Sequence, residues 1–505
     1  MPKIAIIGGG PSGITSAVAA FHVGWEPTVF EMSPIIGGVW ASGERDAADR
    51  GCAWPDMKVN ISRHTGTFSD FAWPVNTPDF PSTQEVYNYL NNYAVHHKVT
   101  SHIKLATQVI AVFQQDNQWI IRYQTNQEPI REEAFTAVII ATSKFSNPYI
   151  PDFKGLDTVK NKLHSARYRH AGAFKGKKVL VVGGSLSGTA IAEELATVTQ
   201  VTHLIRTPRW IIKRYRSINS QSNGPTLPRD LLKTYATAGK KLTQEEQYQL
   251  MLIHCAEQND IAEWKMLPET TAGFVVADHY VDRVKSQQII PVRGDIESFT
   301  ENVVILTDKR EIIYDCIIFC TGYLRDLSFL PNSLRNISSL YEDTFLPGTD
   351  NLAFVGMYPG ARGAVFPLVE LQAKLACAVF SGTYSLPPYN QMMEEIQHTM
   401  SRDEIEFSTS IAKRLGIFPE LKLYNASIQH ILLHGAYTPS RFNLNGKYGC
   451  PDAALNKLKE TEFYRRRLLH SKDKISTLAN LSLLKCPQLK QDEVPNPNLV
   501  LCDKT

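Results

Sequence analysis

The chain has 505 residues, 43% of them hydrophobic, with a net charge of +3, which gives room for two to four packed domains. The charge balance argues against a nucleic-acid binder, and no run of about 20 uninterrupted apolar residues marks a membrane span. Eight scattered cysteines without a Cys-x-x-Cys pair, and a start at Met1-Pro2-Lys3 that runs straight into a strand, predict reduced thiols, no signal peptide and a cytoplasmic setting.

From Lys3, "KIAIIGGGPSGITSAVAAF" reads as a strand, a glycine turn and a small-residue helix. In Gly8-x-Gly10-x-x-Gly13 the first glycine makes the tight turn and the second lets backbone amides approach a pyrophosphate. The third lets the helix lie on the sheet, with its N-terminus facing the anion. The next strand, "EPTVFE", ends in Glu31, placed to accept hydrogen bonds from ribose hydroxyls. Together these predict an adenine-dinucleotide site. The strand-like residues 134–148 close this first unit.

The unit recurs in "KKVLVVGGSLSGTAIAEELA", which keeps Gly183 and Gly188 but puts Ser185 in the middle position. At the offset from Gly188 that Glu31 has from Gly13 stands Arg206, ending "VTHLIR". A carboxylate there would repel a 2'-phosphate, whereas a guanidinium grips it bidentately. The second site is therefore predicted to take NADP, with Arg209, Lys213 and Arg214 adding to the positive field. Two dinucleotide folds in one chain imply hydride passage from nicotinamide to a second redox cofactor, for which FAD is the natural choice.

Residues 227–269 are helical in pattern, with a capping-box signal at Thr243-x-x-Glu246; a cap over a cleft and a plain helical excursion are both open. Residues 303–323 read as a hairpin and then a buried strand ending in Thr321-Gly322, returning the chain to the first domain. The predicted fold is α/β, with two Rossmann-like domains, the NADPH domain inserted into the FAD domain. Residues 1–165 form the first part of the FAD domain, 166–314 the NADPH domain, 315–385 the second part of the FAD domain, and 386–505 a mixed C-terminal extension without an apolar anchor.

In this order the motifs resemble the flavin-containing monooxygenases, over roughly residues 1–390. The resemblance rests also on Gly37-Gly38-Val39-Trp40, on "MKVNISRHTGTFSDFAWP" (57–74), on His164-x-x-x-Tyr168, on "FCTGY" (319–323) and on Glu370-Leu371-Gln372-Ala373-Lys374. It implies FAD contacts at Gly8, Gly10, Pro11, Ser12, Gly13, Glu31, Gly38, Val39, Trp40, Asn60, Ile61, Val109, Thr321, Gly322 and Gln372. It implies NADP contacts at Gly183, Ser185, Leu186, Ser187, Gly188, Thr189, Arg206 and Arg209.

The resemblance also implies a cycle. NADPH reduces FAD, O2 adds to form a C4a-hydroperoxyflavin, and one oxygen atom passes to an amine nitrogen or sulfide sulfur of a small molecule. Asn60 would lie beside the flavin and donate its amide to the peroxide oxygens, although a plain turn residue with a local backbone bond is the alternative at that position. No metal is called for, no nucleic-acid partner or membrane anchor is expected, and a homodimer is left open.

The family fingerprint Phe-x-Gly-x-x-x-His-x-x-x-Tyr/Phe falls on Thr158, Lys160, His164 and Tyr168, so its first two residues are replaced. Baeyer-Villiger relatives would place Trp-Pro at Tyr168-Arg169. A Baeyer-Villiger or decarboxylating carbonyl oxygenase is the nearest alternative, and a flavin-binding regulator or interaction protein without turnover is a more distant one. A disulfide reductase is disfavoured, because Cys316 and Cys320 would share one face of a strand rather than form a redox loop.

Overall fold

The computed structural model describes residues 1–41, 53–145, 147–217, 226–237, 243–255, 258, 266–269, 273–358, 363–399, 402–446 and 449–469. Two parallel sheets are built from β1 (Lys3–Ile7), β2 (Glu26–Phe30), β3 (Ile103–Lys104), β4 (Ala137–Ile140), β5 (Lys162–His164), β6 (Val179–Val182), β7 (Val201–Ile205), β8 (Ile289–Arg293), β9 (Cys316–Phe319) and β10 (Leu352–Phe354). The first runs β10-β4-β1-β2-β3 and the second β8-β7-β6-β9-β5. Every neighbouring pair in both is parallel.

These strands are nearly continuous apolar runs because both faces are covered. In β1, Ile4 and Ile6 pack with Ile14 and Ala17 of helix α1 (Pro11–His22). Ala5 and Ile7 point the other way, into a cluster with Phe30, Val112 and Trp119. In β6, Val179 and Val181 meet Ile191 and Leu195 of α3 (Leu186–Leu195), whereas Leu180 and Val182 meet Phe299, Val304 and Leu306. Between them in the chain, α2 (Thr83–His96) starts at a capping box made by Ser82 and Glu85 and packs its Tyr89, Leu90 and Tyr93 into the first core.

The internal repeat is deeper than the glycine turns. Each unit continues into a three-stranded antiparallel layer before its fourth core strand. In the first unit the layer is Thr107–Gln115, Gln118–Thr125 and Arg131–Phe135; in the second it is Ile296–Phe299, Val303–Leu306 and Glu311–Ile313. The fourth strands, β4 and β9, then insert beside β1 and β6 at matching places.

This topology moves the expected domain boundaries at 165/166 and 314/315. β9 does not return the chain to the first domain, since it pairs along β6, where both of its faces are buried. β5 joins the same sheet on the far side of β9. The crossing between domains is instead a small antiparallel pair, Asn147–Pro148 against Tyr323–Leu324.

The helical expectation for 227–269 holds only in part. Thr226–Pro228 is a strand paired with Tyr215–Ser217, as suits a proline that fixes φ and lacks an N–H. Two short 3-10 turns follow, Arg229–Leu232 and Tyr235–Thr237. The α-helix is Gln244–His254, and its capping box is present: Glu246 N–H donates to Thr243 Oγ1 at 3.2 Å and Thr243 N–H to Glu246 Oε2 at 2.8 Å. Part of the remaining stretch lies outside the described residues.

After β10, α4 (Val365–Phe380) packs against α1, and α5 (Glu404–Arg414) against α4. The last described helix, α6 (Pro451–Leu469), reaches back to the strand at Thr226–Pro228. The polar tail from residue 470 lies outside the described residues. Among the described residues no helix is long and apolar enough to cross a membrane.

Cys255, Cys316, Cys320 and Cys377 are free and buried, but Cys450 is disulfide-bonded. The expectation of reduced thiols therefore does not hold at Cys450, because spacing along the chain does not show which cysteines the fold brings together.

Candidate active site

At the first glycine turn, Gly8 has φ +112°, and a Cβ on it would stand 2.7 Å from the carbonyl oxygen of Ala141. A Cβ on Gly13 would stand 1.7 Å from the carbonyl oxygen of Gly8. Only glycine fits either place. Gly9 N–H donates to Glu31 Oε2 at 2.6 Å and Ser33 N–H to Oε1 at 2.7 Å, fixing the buried carboxylate at the end of β2. Gly37 N–H donates to Gly9 O at 2.9 Å, which seats the short turn Gly38–Trp40 beside Gly10.

Gly8, Gly10, Pro11, Ser12, Gly13, Glu31, Gly38, Val39 and Trp40 thus gather at the N-terminus of α1, in a backbone-lined cradle that a Cβ would fill. These residues fit an adenine dinucleotide: amides and a helix N-terminus for the pyrophosphate, a carboxylate for the ribose.

Other expected FAD residues fall elsewhere. Gln372 is fully buried; its Nε2 donates to Asp343 O at 2.9 Å and Thr344 Oγ1 at 3.1 Å, and its Oε1 accepts from Gly356 N–H at 3.0 Å. It is joined to the cradle through Gly356, where a Cβ would stand 2.5 Å from Ser12 Oγ. The Val109 side chain is core, packed with Ile7 and Phe30, and so does not itself reach the cradle. Thr321 and Gly322 sit at the domain crossing, where the Thr321 hydroxyl donates to Tyr149 O and Tyr149 N–H to Gly322 O at 2.9 Å. Ile61 lies in the Asn60 loop, against Gly66.

The second turn repeats the first. Gly183 has φ +117°, and a Cβ there would stand 2.5 Å from Cys320 O; a Cβ on Gly188 would stand 1.7 Å from Gly183 O. Ser185 has φ −96° and ψ −169°, against −81° and −172° for Gly10. The middle position is extended backbone open to any residue, so serine there brings no strain. Ser185, Leu186, Ser187, Gly188 and Thr189 open α3, with Ser185 and Leu186 exposed. Arg206 is exposed at the end of β7, and the Arg209 side chain lies against Gly273. These residues fit a second dinucleotide that carries an additional phosphate.

One residue that the motifs miss stands behind this turn. His203 is fully buried on β7, with Nε2 2.9 Å from Gly183 O and Nδ1 2.7 Å from the Tyr280 hydroxyl. Burial pushes its pKa down to about 4. The signal available in the sequence was a lone histidine inside an apolar strand.

Between the two cradles runs the loop carrying Asn60. Asn60 Oδ1 accepts from Arg214 Nη2 at 3.1 Å, so its amide bonds across the domains rather than within a local turn. Arg214 Nε donates to Val59 O at 2.8 Å and Nη2 to Lys58 O at 3.2 Å, while its backbone N–H and Nη1 donate to the two oxygens of Asp278, each at 2.8 Å. Arg214 is thereby removed from the expected phosphate field, because its donors are spent on this loop and on Asp278.

Further along the loop, Ser62 Oγ donates to Asp230 Oδ2 at 2.6 Å, and the Thr65 hydroxyl donates to the same oxygen. Asp79 binds His64 Nε2 at 3.1 Å and accepts from the hydroxyls of Tyr215 at 3.2 Å and Tyr464 at 2.7 Å. Burial alone would raise the Asp79 carboxyl; the bonds from His64, Tyr464 and Tyr215 carry it below the ordinary range. Glu370 of the helical motif accepts from Ser69 N–H at 2.7 Å and from Lys374 Nζ at 2.5 Å, tying α4 to the end of the same loop.

The altered fingerprint keeps its tether. Tyr168 is fully buried, and its hydroxyl donates to Glu194 Oε1 of α3 at 2.8 Å; Trp54 Nε1–H donates to Oε2 at 2.5 Å. The replaced positions, Thr158 and Lys160, are exposed, and Lys160 pairs with Glu301. Cys316 and Cys320 are buried core residues whose thiols are pushed up by burial, Cys320 to about 12, which denies them the thiolate that a redox pair needs.

Comparison with known proteins gives the same picture. A flavin-containing monooxygenase 5 of Cavia porcellus is 30% identical over 484 residues, covering 88% of this chain and 89% of its own. The structure of S-allyl-L-cysteine S-oxygenase from Allium sativum superposes with a TM-score of 0.59 at 20% identity, covering 92% of this chain and 99% of that one. An open structure of cyclohexanone monooxygenase gives 0.62 at 15%, covering 82% and 97%. The family model described as flavin-binding monooxygenase-like matches residues 1–417, and the chain belongs to that family: it is a flavin-dependent monooxygenase that uses FAD and NADPH.

Proposed function

We propose that the chain oxygenates the nitrogen of an amine or the sulfur of a sulfide in a small molecule. The observation that carries this reading is the orientation of Asn60. A guanidinium only donates, so Arg214 must face Oδ1, and the Nδ2 donor end of the amide is turned away from it. Gly8, Gly10, Ser12, Gly13, Glu31 and the Gly38–Trp40 turn would hold FAD, and Gly183–Thr189 with Arg206 and Arg209 would hold NADPH.

Bound FAD supplies the redox and O2 chemistry once NADPH has reduced it. The chain's part is to fix the nicotinamide nucleotide through α3 and Arg206, to exclude water, and to donate from Asn60 Nδ2 to oxygen at the reacting centre. A donor fixed in advance in a low-dielectric site stabilises developing negative charge without reorganising.

Oxidation at nitrogen or sulfur rather than at a carbonyl is supported by Tyr168-Arg169, where carbonyl-oxygenating relatives would carry Trp-Pro. The test is NADPH consumption over amines, thioethers and ketones with mass analysis of products: N-oxides or sulfoxides are expected, and esters or lactones as the main products would overturn the reading. Asn60→Ala should retain FAD but divert NADPH into hydrogen peroxide; an unchanged ratio of product to peroxide removes Asn60 from the chemistry.

A further inference from the structure

We propose that Arg214 is the positioning residue for Asn60, an inference that rests on the reading of Asn60 given above. Its side chain is only 12% exposed, and four donor contacts leave it no latitude. Nε and Nη2 hold the carbonyls of Val59 and Lys58, Nη2 also holds Asn60 Oδ1, and Nη1 is held by Asp278. Three consecutive residues of the loop are thus gripped by one planar group.

The grip is built on a rigid element. Trp210–Ile212 pairs in parallel with Phe274–Val276, Trp210 is fully buried, and Ala277 N–H donates to Ile212 O at 3.0 Å. Arg214 leaves one end of this ribbon and Asp278 the end of its partner strand, so the ion pair is set by the ribbon's register. The same stretch begins beside Arg206 and Arg209. A short strut therefore runs from the expected 2'-phosphate position to the Asn60 amide, and the second domain is what orients a group of the first.

Two consequences separate this role from simple packing. An amide can turn over by half a rotation at little cost, and only a neighbour of one polarity selects the face it shows; Arg214, which cannot accept, is such a neighbour. A lysine would keep the charge but not the fork, because an ammonium is a point donor that cannot hold two carbonyls and an amide oxygen in one plane.

The experiment uses the FAD-loaded full chain with NADPH, O2 and whichever amine or thioether is turned over. It compares wild type, Arg214→Lys, Asn60→Ala and the double variant for bound FAD, KM for NADPH, and the share of NADPH ending in hydrogen peroxide. Arg214→Lys should retain FAD and the wild-type KM, while its peroxide share rises several-fold toward that of Asn60→Ala. The double variant should match Asn60→Ala, since a residue acting through another adds nothing once that other is gone. Asp278→Asn, which loosens the fork without removing it, should fall between wild type and Arg214→Lys, and covers the case in which Arg214→Lys fails to fold. Additive effects in the double variant would overturn the proposal, as would a KM raised about tenfold at unchanged coupling. If Asn60→Ala couples like wild type, the reading of Asn60 fails first and takes this one with it.

Discussion

His203 Nε2 stands 2.9 Å from the carbonyl oxygen of Gly183, the same oxygen that a Cβ on Gly188 would strike. With its pKa pushed down to about 4 by burial, the imidazole is neutral. A carbonyl can only accept, so Nε2 carries the proton and Nδ1 accepts from the Tyr280 hydroxyl. The turn expected to cradle NADPH is thus held from behind as well as by its glycines; in the first unit Val29 occupies the equivalent place, judged from strand pairing. His203→Leu leaves a buried carbonyl and a hydroxyl without partners, at about 1–3 kcal/mol. The expected outcome is a raised KM for NADPH with normal FAD content, read by steady-state kinetics and flavin absorbance. Loss of FAD with an unchanged KM would show that His203 serves the fold as a whole.

The same residue fixes a pH dependence. Its folded pKa, about 4, lies below the ordinary histidine value of 6.5, so the unfolded chain binds a proton first as pH falls. The stability it contributes is complete above about 6.5 and is lost as pH drops toward about 4, on the order of 3 kcal/mol over the window. His22 and His97, also pushed down to about 4 by burial, act in the same direction. Melting temperature should fall across this window in wild type and fall less steeply in His203→Gln. Parallel curves for the two would remove His203 from the dependence.

Gly188 and Ser185 should respond oppositely to substitution. Gly188→Ala forces a Cβ to 1.7 Å from a backbone oxygen, which α3 escapes only by lifting off the sheet. NADPH-driven flavin reduction should collapse in that variant. Ser185→Gly changes a residue at φ −96° that makes no side-chain cap bond, and glycine for serine at an N-cap costs only a few tenths of a kcal/mol. Stability and NADPH KM should stay near wild type. A large change in KM would mean that the hydroxyl itself binds the nucleotide.

What the sequence disclosed follows from physics that acts at short range. The glycine turns, Glu31, Arg206 and the Thr243 capping box are set by local backbone geometry and by spacing within one unit; the structure forms both turns and the capping box, buries Glu31 behind the first turn and leaves Arg206 exposed one residue beyond the place that matches Glu31. Placing β9 required knowing which edge of β6 lay open, a long-range matter that "CIIF" does not carry. Arg214 reads as part of a basic run because its neighbours are basic, yet its partners are Asp278 and a loop more than 150 positions upstream. The motif resemblance puts Gln372 at the cofactor, whereas the fold engages its amide with Gly356, Asp343 and Thr344. Polar side chains that bond across domains leave no periodic trace.

Arg206 gives the sharpest test of which nucleotide the second cradle prefers. It is exposed just past β7, one residue beyond Ile205, which lies against Gly184 as the buried, doubly bonded Glu31 lies against Gly9 in the first unit. A charge-assisted hydrogen bond contributes about 1.5–3 kcal/mol, so Arg206→Gln should raise the KM for NADPH by about 10- to 100-fold. The KM for NADH, which lacks the 2'-phosphate, should hardly move, and the preference between the two should collapse. Arg209→Gln should act in the same direction, while Arg214→Lys, whose donors are engaged by Asp278 and the Asn60 loop, should leave the preference intact. An equal rise for both nucleotides in Arg206→Gln would place the 2'-phosphate elsewhere, and a preference lost in Arg214→Lys would return that residue to the phosphate field from which its hydrogen bonds remove it.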